Sequence, residues 1–211
     1  VIRANSGGVI NLRELNPIQL DALKEIGNIG AGNAATVFSQ MLGDKVSMTV
    51  PNVNILPLSG VSDVVGGSET LVAGIYLKVF GDASGNILFL FPEESAHILC
   101  DVLTKRIPGS TKKIDEYEKS ALQEFGNILS SAYLNALSMF TNLIMLPSVP
   151  ALAMDMAGAI LDLVIIEFGK IADYALLIES QFISSTSQVT GHFFLIPEPT
   201  SRETLCQAIG V

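Results

Sequence analysis

The chain has 211 residues, 49% of them hydrophobic, with 12 basic against 21 acidic side chains and a net charge of −9. That composition excludes a disordered chain, which lacks the apolar residues to bury a core, and argues against a nucleic-acid binder, which needs clustered Lys and Arg to neutralise phosphates. Two cysteines, Cys100 and Cys206, are too few for a disulfide framework and stand in no C-x-x-C pair, as expected of core thiols in a reduced, cytoplasmic protein.

Residues 1–12 show no basic region followed by an apolar core and stay unassigned. A first long helix is predicted over 17–42, where Leu20, Leu23 and Ile26 recur at helical spacing. Strand-like runs follow at 45–51 (KVSMTVP), 71–80 (LVAGIYLKVF) and 86–91 (NILFLF), and a short helix is signalled after Pro92. The segment RIPGSTKKIDE, 106–116, mixes turn-formers with charges and reads as a boundary.

Beyond it, Leu122, Phe125 and Leu129 set a second long helix over 115–140. The apolar stretch 143–166 is broken by two prolines and two aspartates, so no membrane span is expected. Runs at 162–168 (DLVIIEF), 174–180 (YALLIES) and 191–197 (GHFFLIP) read as strands, and a last helix is signalled after Pro197. Long helix, strands, short helix, twice over, predicts an α+β fold with a largely antiparallel sheet.

The two parts answer each other. At a shift of 99 positions Glu25 meets Glu124, Gly27 meets Gly126, Asn28 meets Asn127 and Pro51 meets Pro150, while Asp21 falls on Ser120. GNILFLFPEE at 85–94 resembles GHFFLIPEP at 191–199. We therefore expect one domain over 13–211, internally duplicated with pseudo-two-fold symmetry, its repeats at about 16–107 and 115–211. One chain satisfying that symmetry by itself is expected to be a monomer.

The stretch EIGNIGAGNAA, 25–35, suggests a phosphate-binding loop at first sight. It lacks the lysine of a Walker loop and the strand–turn–helix setting of a dinucleotide fingerprint, and its second copy, EFGNILSSAYL, keeps only one of the three glycines. What persists is the Glu and the Asn. On a helix Asp21, Glu25 and Asn28 fall within a sector of about 60°, which Gly32, Ala35 and Ser39 continue with small side chains. Ser120, Glu124, Asn127 and Ser131 take the same places in the second helix, with Leu134 where Ala35 stands. Glycines in a helix cost roughly 1 kcal/mol each against alanine. A thin helix face that lets another surface approach the backbone would explain them. The plainer alternatives are an ordinary solvated face, or polar residues that tie the halves together.

This pattern, D/S-x-x-x-E-x-x-N followed by a proline, resembles the CheC family of chemotaxis phosphatases, and the resemblance runs over 16–211. It implies hydrolysis of the aspartyl-phosphate of the response regulator CheY, with each Glu/Asn pair as one site. By that resemblance Asn28 and Asn127 orient the attacking water, and Glu25 and Glu124 anchor the regulator's active-site lysine. Asp21, Gly32, Ser120 and Ser131 line the substrate surface. The chain itself needs no cofactor or metal, the Mg²⁺ belonging to the regulator. The two histidines, His97 and His192, read as structural. Catalysis by placing a water suits a sequence that shows no nucleophile–base set. The alternative is an adaptor that binds the receptor deamidase CheD or the flagellar switch, as a FliY-like fragment.

Overall fold

The computed structural model describes residues 15–168 and 174–209, so the unassigned 1–12 segment lies outside the described residues, as does the Cys206 side chain. Two helices of 26 residues each dominate it, α1 (Pro17–Leu42) and α4 (Glu116–Thr141). Both begin with a reciprocal capping box, built from Asn16 and Gln19 in α1 and from Asp115 and Glu118 in α4. Each ends on a left-handed residue, Gly43 at φ 68° and Asn142 at φ 58°. One design thus closes both helices with different residues.

Between and after them run β1 (Ser47–Pro57), α2 (Val61–Val64), β2 (Leu71–Gly81), β3 (Gly85–Pro92) and α3 (Glu93–Leu103), then β4 (Met145–Pro147), β5 (Ala151–Met156), α5 (Ala157–Phe168), β6 (Tyr174–Ile183), β7 (Gln188–Pro197) and α6 (Pro199–Ala208). The strands form a single antiparallel sheet in the order β1-β6-β7-β3-β2-β4, with β5 also pairing β2. Exchanging the two halves of the chain leaves this order unchanged. The central pair, β3 with β7, brings together one strand from each half.

Side chains alternate across the sheet and feed two cores. Ile87, Phe89, Phe91 and Phe193 point towards α1 and α4, where Phe38 of α1 stacks on Phe125 of α4 with ring centroids 4.8 Å apart. Leu88, Leu90, Phe194 and Ile196 point the other way, under α2 and α5. The connector between the halves is pinned by Asp101, fully buried, which accepts hydrogen bonds from Gly109 N (2.6 Å), Thr111 N (2.9 Å) and the Thr111 hydroxyl (2.6 Å). Beside it Arg106 pairs with the buried Glu118. Cys100 is buried in the main core, and burial, with Glu118 and Asp101 nearby, pushes its thiol up to about 12.

Two local expectations change. The run DLVIIEF, expected as a strand, is the second half of helix α5. Its β-branched residues gave the strand signal, but Ala157, Ile160, Leu161 and Val164 are buried at helical spacing over the second core. The strand-like run expected to end at Pro51 continues to Pro57, and Pro51 lies inside β1, at a bulge.

Candidate functional site

Each motif helix lies against an edge segment with one extra residue, within β1 in the first half and between β4 and β5 in the second. In β1, Thr49 pairs with Gln181 and Asn52 with Glu179, so Val50 and Pro51 face Ser180 alone. In the second half Val79 pairs with Pro147 and Tyr76 with Ala151, so Ser148, Val149 and Pro150 stand where β2 supplies two residues. The same irregularity therefore sits beside both Glu/Asn pairs, and in both it falls at the proline of the repeat.

On α1, Asp21, Glu25 and Gly32 are exposed and Asn28 is half-buried. The Asn28 Oδ1 accepts a hydrogen bond of 3.0 Å from the backbone N–H of Val50. Because that N–H can only donate, the bond fixes which way the amide points. Asn28 thus fastens its helix to the bulge.

On α4, Ser120 and Glu124 are exposed, and Asn127 and Ser131 are half-buried. Ser120, Gln123, Glu124 and Asn127 form one wall of an open groove of about 350 Å³, and residues 147–150 form the other. Ser131 lies outside this groove. It lines a second one, of about 410 Å³, along the seam between α4 and α1, together with Asn33, Val37 and Asn135. Asn127 borders both grooves. Its side-chain amide makes no hydrogen bond to protein among the described residues, while its backbone carbonyl accepts one from the Ser130 hydroxyl. The tie to the bulge is made one turn earlier, by Gln123 Nε2 donating to the Pro150 carbonyl at 3.1 Å.

The glycines play a different part from the one expected. A Cβ on Gly30 would lie 2.7 Å from Tyr133 Cδ1 and 3.0 Å from its Cα, and one on Gly27 would lie 3.4 Å from the Val50 methyls. On Gly126 it would lie 2.7 Å from the Ile75 methyl Cγ2. These three admit α4, β1 and β2, so the thinning serves packing inside the molecule. Only Gly32 of the α1 motif glycines faces open space. Ala35 and Leu134 are buried as well, and Ser39 bonds the Val46 backbone, so the outward sector ends near Gly32.

Neither histidine belongs to these surfaces. His97 is on α3, and His192 lies on β7 opposite Glu179, with its Nδ1 buried and unpartnered among the described residues. Burial holds its imidazole below the usual range, and the Glu179 charge opposes this. Among the described residues no three His, Cys, Asp or Glu side chains gather as metal ligands, and no helix is long and apolar enough to cross a membrane.

Chemically, each motif offers a carboxylate and an amide on an open surface. Such a set can hold a water and bind a cation of a partner. Sequence reasoning missed Gln123, Asn33 and Asn135; the first left a signal, since the repeat sets Gln123 against Lys24.

The CheC-like family model matches the chain twice, over residues 18–55 and 118–154. The CheY-P phosphatase CheC of Bacillus subtilis is 34% identical over 196 residues, 91% of this chain and 94% of that protein. The flagellar motor switch phosphatase FliY of the same organism is 32% identical over 129 residues, 59% of this chain but 32% of that protein. Among solved structures, FliY of Thermotoga maritima matches with a TM-score of 0.74 at 18% identity, over 92% of this chain and 96% of that one. The FliM middle domain of H. pylori matches with a TM-score of 0.69 at 11% identity, over 92% and 99%. At such identities these two show the shared fold alone.

Proposed function

Because this chain belongs to the CheC-like family, we propose that it hydrolyses the aspartyl-phosphate of the response regulator CheY, using two Glu/Asn sites. The observation that carries the reading is the duplicated pair, Glu25 with Asn28 and Glu124 with Asn127, each set beside a bulged proline segment. Likeness to the Bacillus subtilis phosphatase over nearly its whole length supports it.

In this reaction a water oxygen attacks phosphorus in line, the bond to the regulator's aspartate breaks, and the products are a carboxylate and inorganic phosphate. An acyl phosphate is reactive enough that placement of the water supplies most of what is needed. An asparagine amide does this without acting as a base: its oxygen accepts a hydrogen bond from the water while its NH₂ donates one to a phosphoryl oxygen. Glu25 and Glu124 would bind the regulator's lysine. Asp21, Gly32, Ser120 and Ser131 would form the surrounding contact surface. The regulator would bring its own Mg²⁺.

The test is the rate of regulator dephosphorylation with wild type, Asn28→Ala, Asn127→Ala and the double variant. The double variant should fall about 100-fold or more, the usual loss on removing a group that stabilises the transition state. Full activity in the double variant would refute the site assignment. A second reading, a role at the flagellar switch, draws on the identity to FliY, of which this chain spans about a third. It would be favoured by a chain that binds switch proteins yet leaves the regulator's phosphate untouched.

A further inference from the structure

The two sites share a layout but fasten it differently. Each motif helix lies beside an edge segment carrying one extra residue, within β1 in the first half and between β4 and β5 in the second, where Ser148 bonds Lys78 of β2 through its N–H (2.8 Å) and its hydroxyl (2.9 Å) but Val149 and Pro150 interrupt the pairing. Something must hold helix and bulge together. In the first repeat the tie is the motif asparagine itself, Asn28 Oδ1 accepting from Val50 N at 3.0 Å. In the second it is Gln123 Nε2 donating to the Pro150 carbonyl at 3.1 Å. Gln123 is half-buried and stands in the wall of the groove that holds Glu124 and Asn127, and Pro150 lies in the wall opposite. The first repeat has Lys24 at the equivalent position, with no such bond to its strand among the described residues.

We infer that Gln123 is a positioning residue of the second site: by bonding the Pro150 carbonyl it fixes the facing wall of the groove and relieves Asn127 of the structural duty that Asn28 carries. Resting on the phosphatase reading, the inference adds how that site is kept ready. Gln123 does not meet the reacting atoms. It sets the distance between Asn127 and residues 148–150, so that a water on the Asn127 amide is confined on two sides. Loss of the tie lets the bulge move and the water wander, which lowers turnover and leaves regulator binding on the outer surface largely intact.

The experiment uses the full chain carrying Asn28→Ala, so that only the second site acts, and phosphorylated regulator as substrate. Gln123→Met keeps length and removes the donor; Gln123→Lys keeps a side-chain N–H donor of similar reach. The expected result is a kcat about tenfold lower for Gln123→Met with KM within twofold of the parent, and at least half the parental kcat for Gln123→Lys. A Gln123→Met chain as fast as its parent would overturn the inference. So would equal losses in both variants accompanied by a lowered Tm, which would make Gln123 a plain structural residue. Failure of the underlying reading has its own signature, since wild type would then leave the regulator's phosphate lifetime unchanged.

Discussion

The side-chain oxygen of Asn28 and the backbone N–H of Val50 are joined by a 3.0 Å hydrogen bond between two different elements, the motif helix and the bulged strand. The equivalent amide of Asn127 makes no bond to protein among the described residues. Asn28 therefore carries a structural tie that Asn127 does not. Asn28→Ala should lower stability by about 1 kcal/mol, the usual net worth of a hydrogen bond, and Asn127→Ala by much less. Urea unfolding of the two variants measures this directly. In activity the order should reverse, with Asn127→Ala losing more of the phosphatase rate, because a water bound at Asn28 must share the oxygen with Val50.

Gly30 and Gly32 should respond to alanine in opposite ways. At Gly30 a methyl would meet Tyr133 at 2.7 Å from a ring carbon and 3.0 Å from its backbone, so Gly30→Ala should destabilise by about 1–3 kcal/mol through overpacking. Gly32 faces open space within α1, and Gly32→Ala should stabilise by up to about 1 kcal/mol from helix propensity alone. Thermal melts of the pair give the sign. A rise in KM for Gly32→Ala with unchanged kcat would mark its face as the docking surface.

Asp101, on α3, should be the residue on which the connector most depends. Burial pushes its carboxyl up, but the hydrogen bonds from Thr111, Ser110 and Gly109 outweigh this and hold it below the ordinary aspartate range. A depressed folded value means that the unfolded state takes up the proton first. The stabilisation is thus complete above about pH 4 and is lost as pH falls through the folded value. Asp101→Ala, which strands several buried donors, should cost about 2–4 kcal/mol and reduce the acid dependence seen in denaturant titrations below pH 4.

His192 acts in a milder range. Burial lowers its folded value, with Glu179 opposing, so protons bind the unfolded chain preferentially below about pH 6.5. Stability should be full above that pH and should decline on acidification, with a slope of at most about 1.4 kcal/mol per pH unit. Chemical denaturation between pH 7.5 and 5.5 tests this, and His192→Leu should flatten the profile.

The long helices were plain in the sequence because a 3.6-residue period is sustained over 26 residues in each, with caps at both ends. The paired Glu25/Asn28 and Glu124/Asn127 were equally plain because the chain prints them twice. The order of strands was not, since β1 pairs with a strand more than 100 residues away and local patterning says nothing of such partners. DLVIIEF misled because three consecutive β-branched residues look like a strand until their buried neighbours at 157, 160 and 161 are seen. Above all, the different ties at Val50 and Pro150 depend on where a bulge falls against a helix. No residue type announces that contact; at the tie itself the one difference between the copies in sequence is Lys24 against Gln123.

The interleaved sheet has a consequence for the integrity of the chain. β1–β6, β3–β7, β2–β5 and the α1–α4 packing all join one half to the other, and the connector crosses the surface with Lys112 and Lys113 exposed. Each half contributes strands that the other must complete, like the fingers of two clasped hands. Trypsin cutting at those lysines would sever the backbone yet leave a native, two-fragment complex, and the halves synthesised as separate polypeptides would recombine into the same molecule.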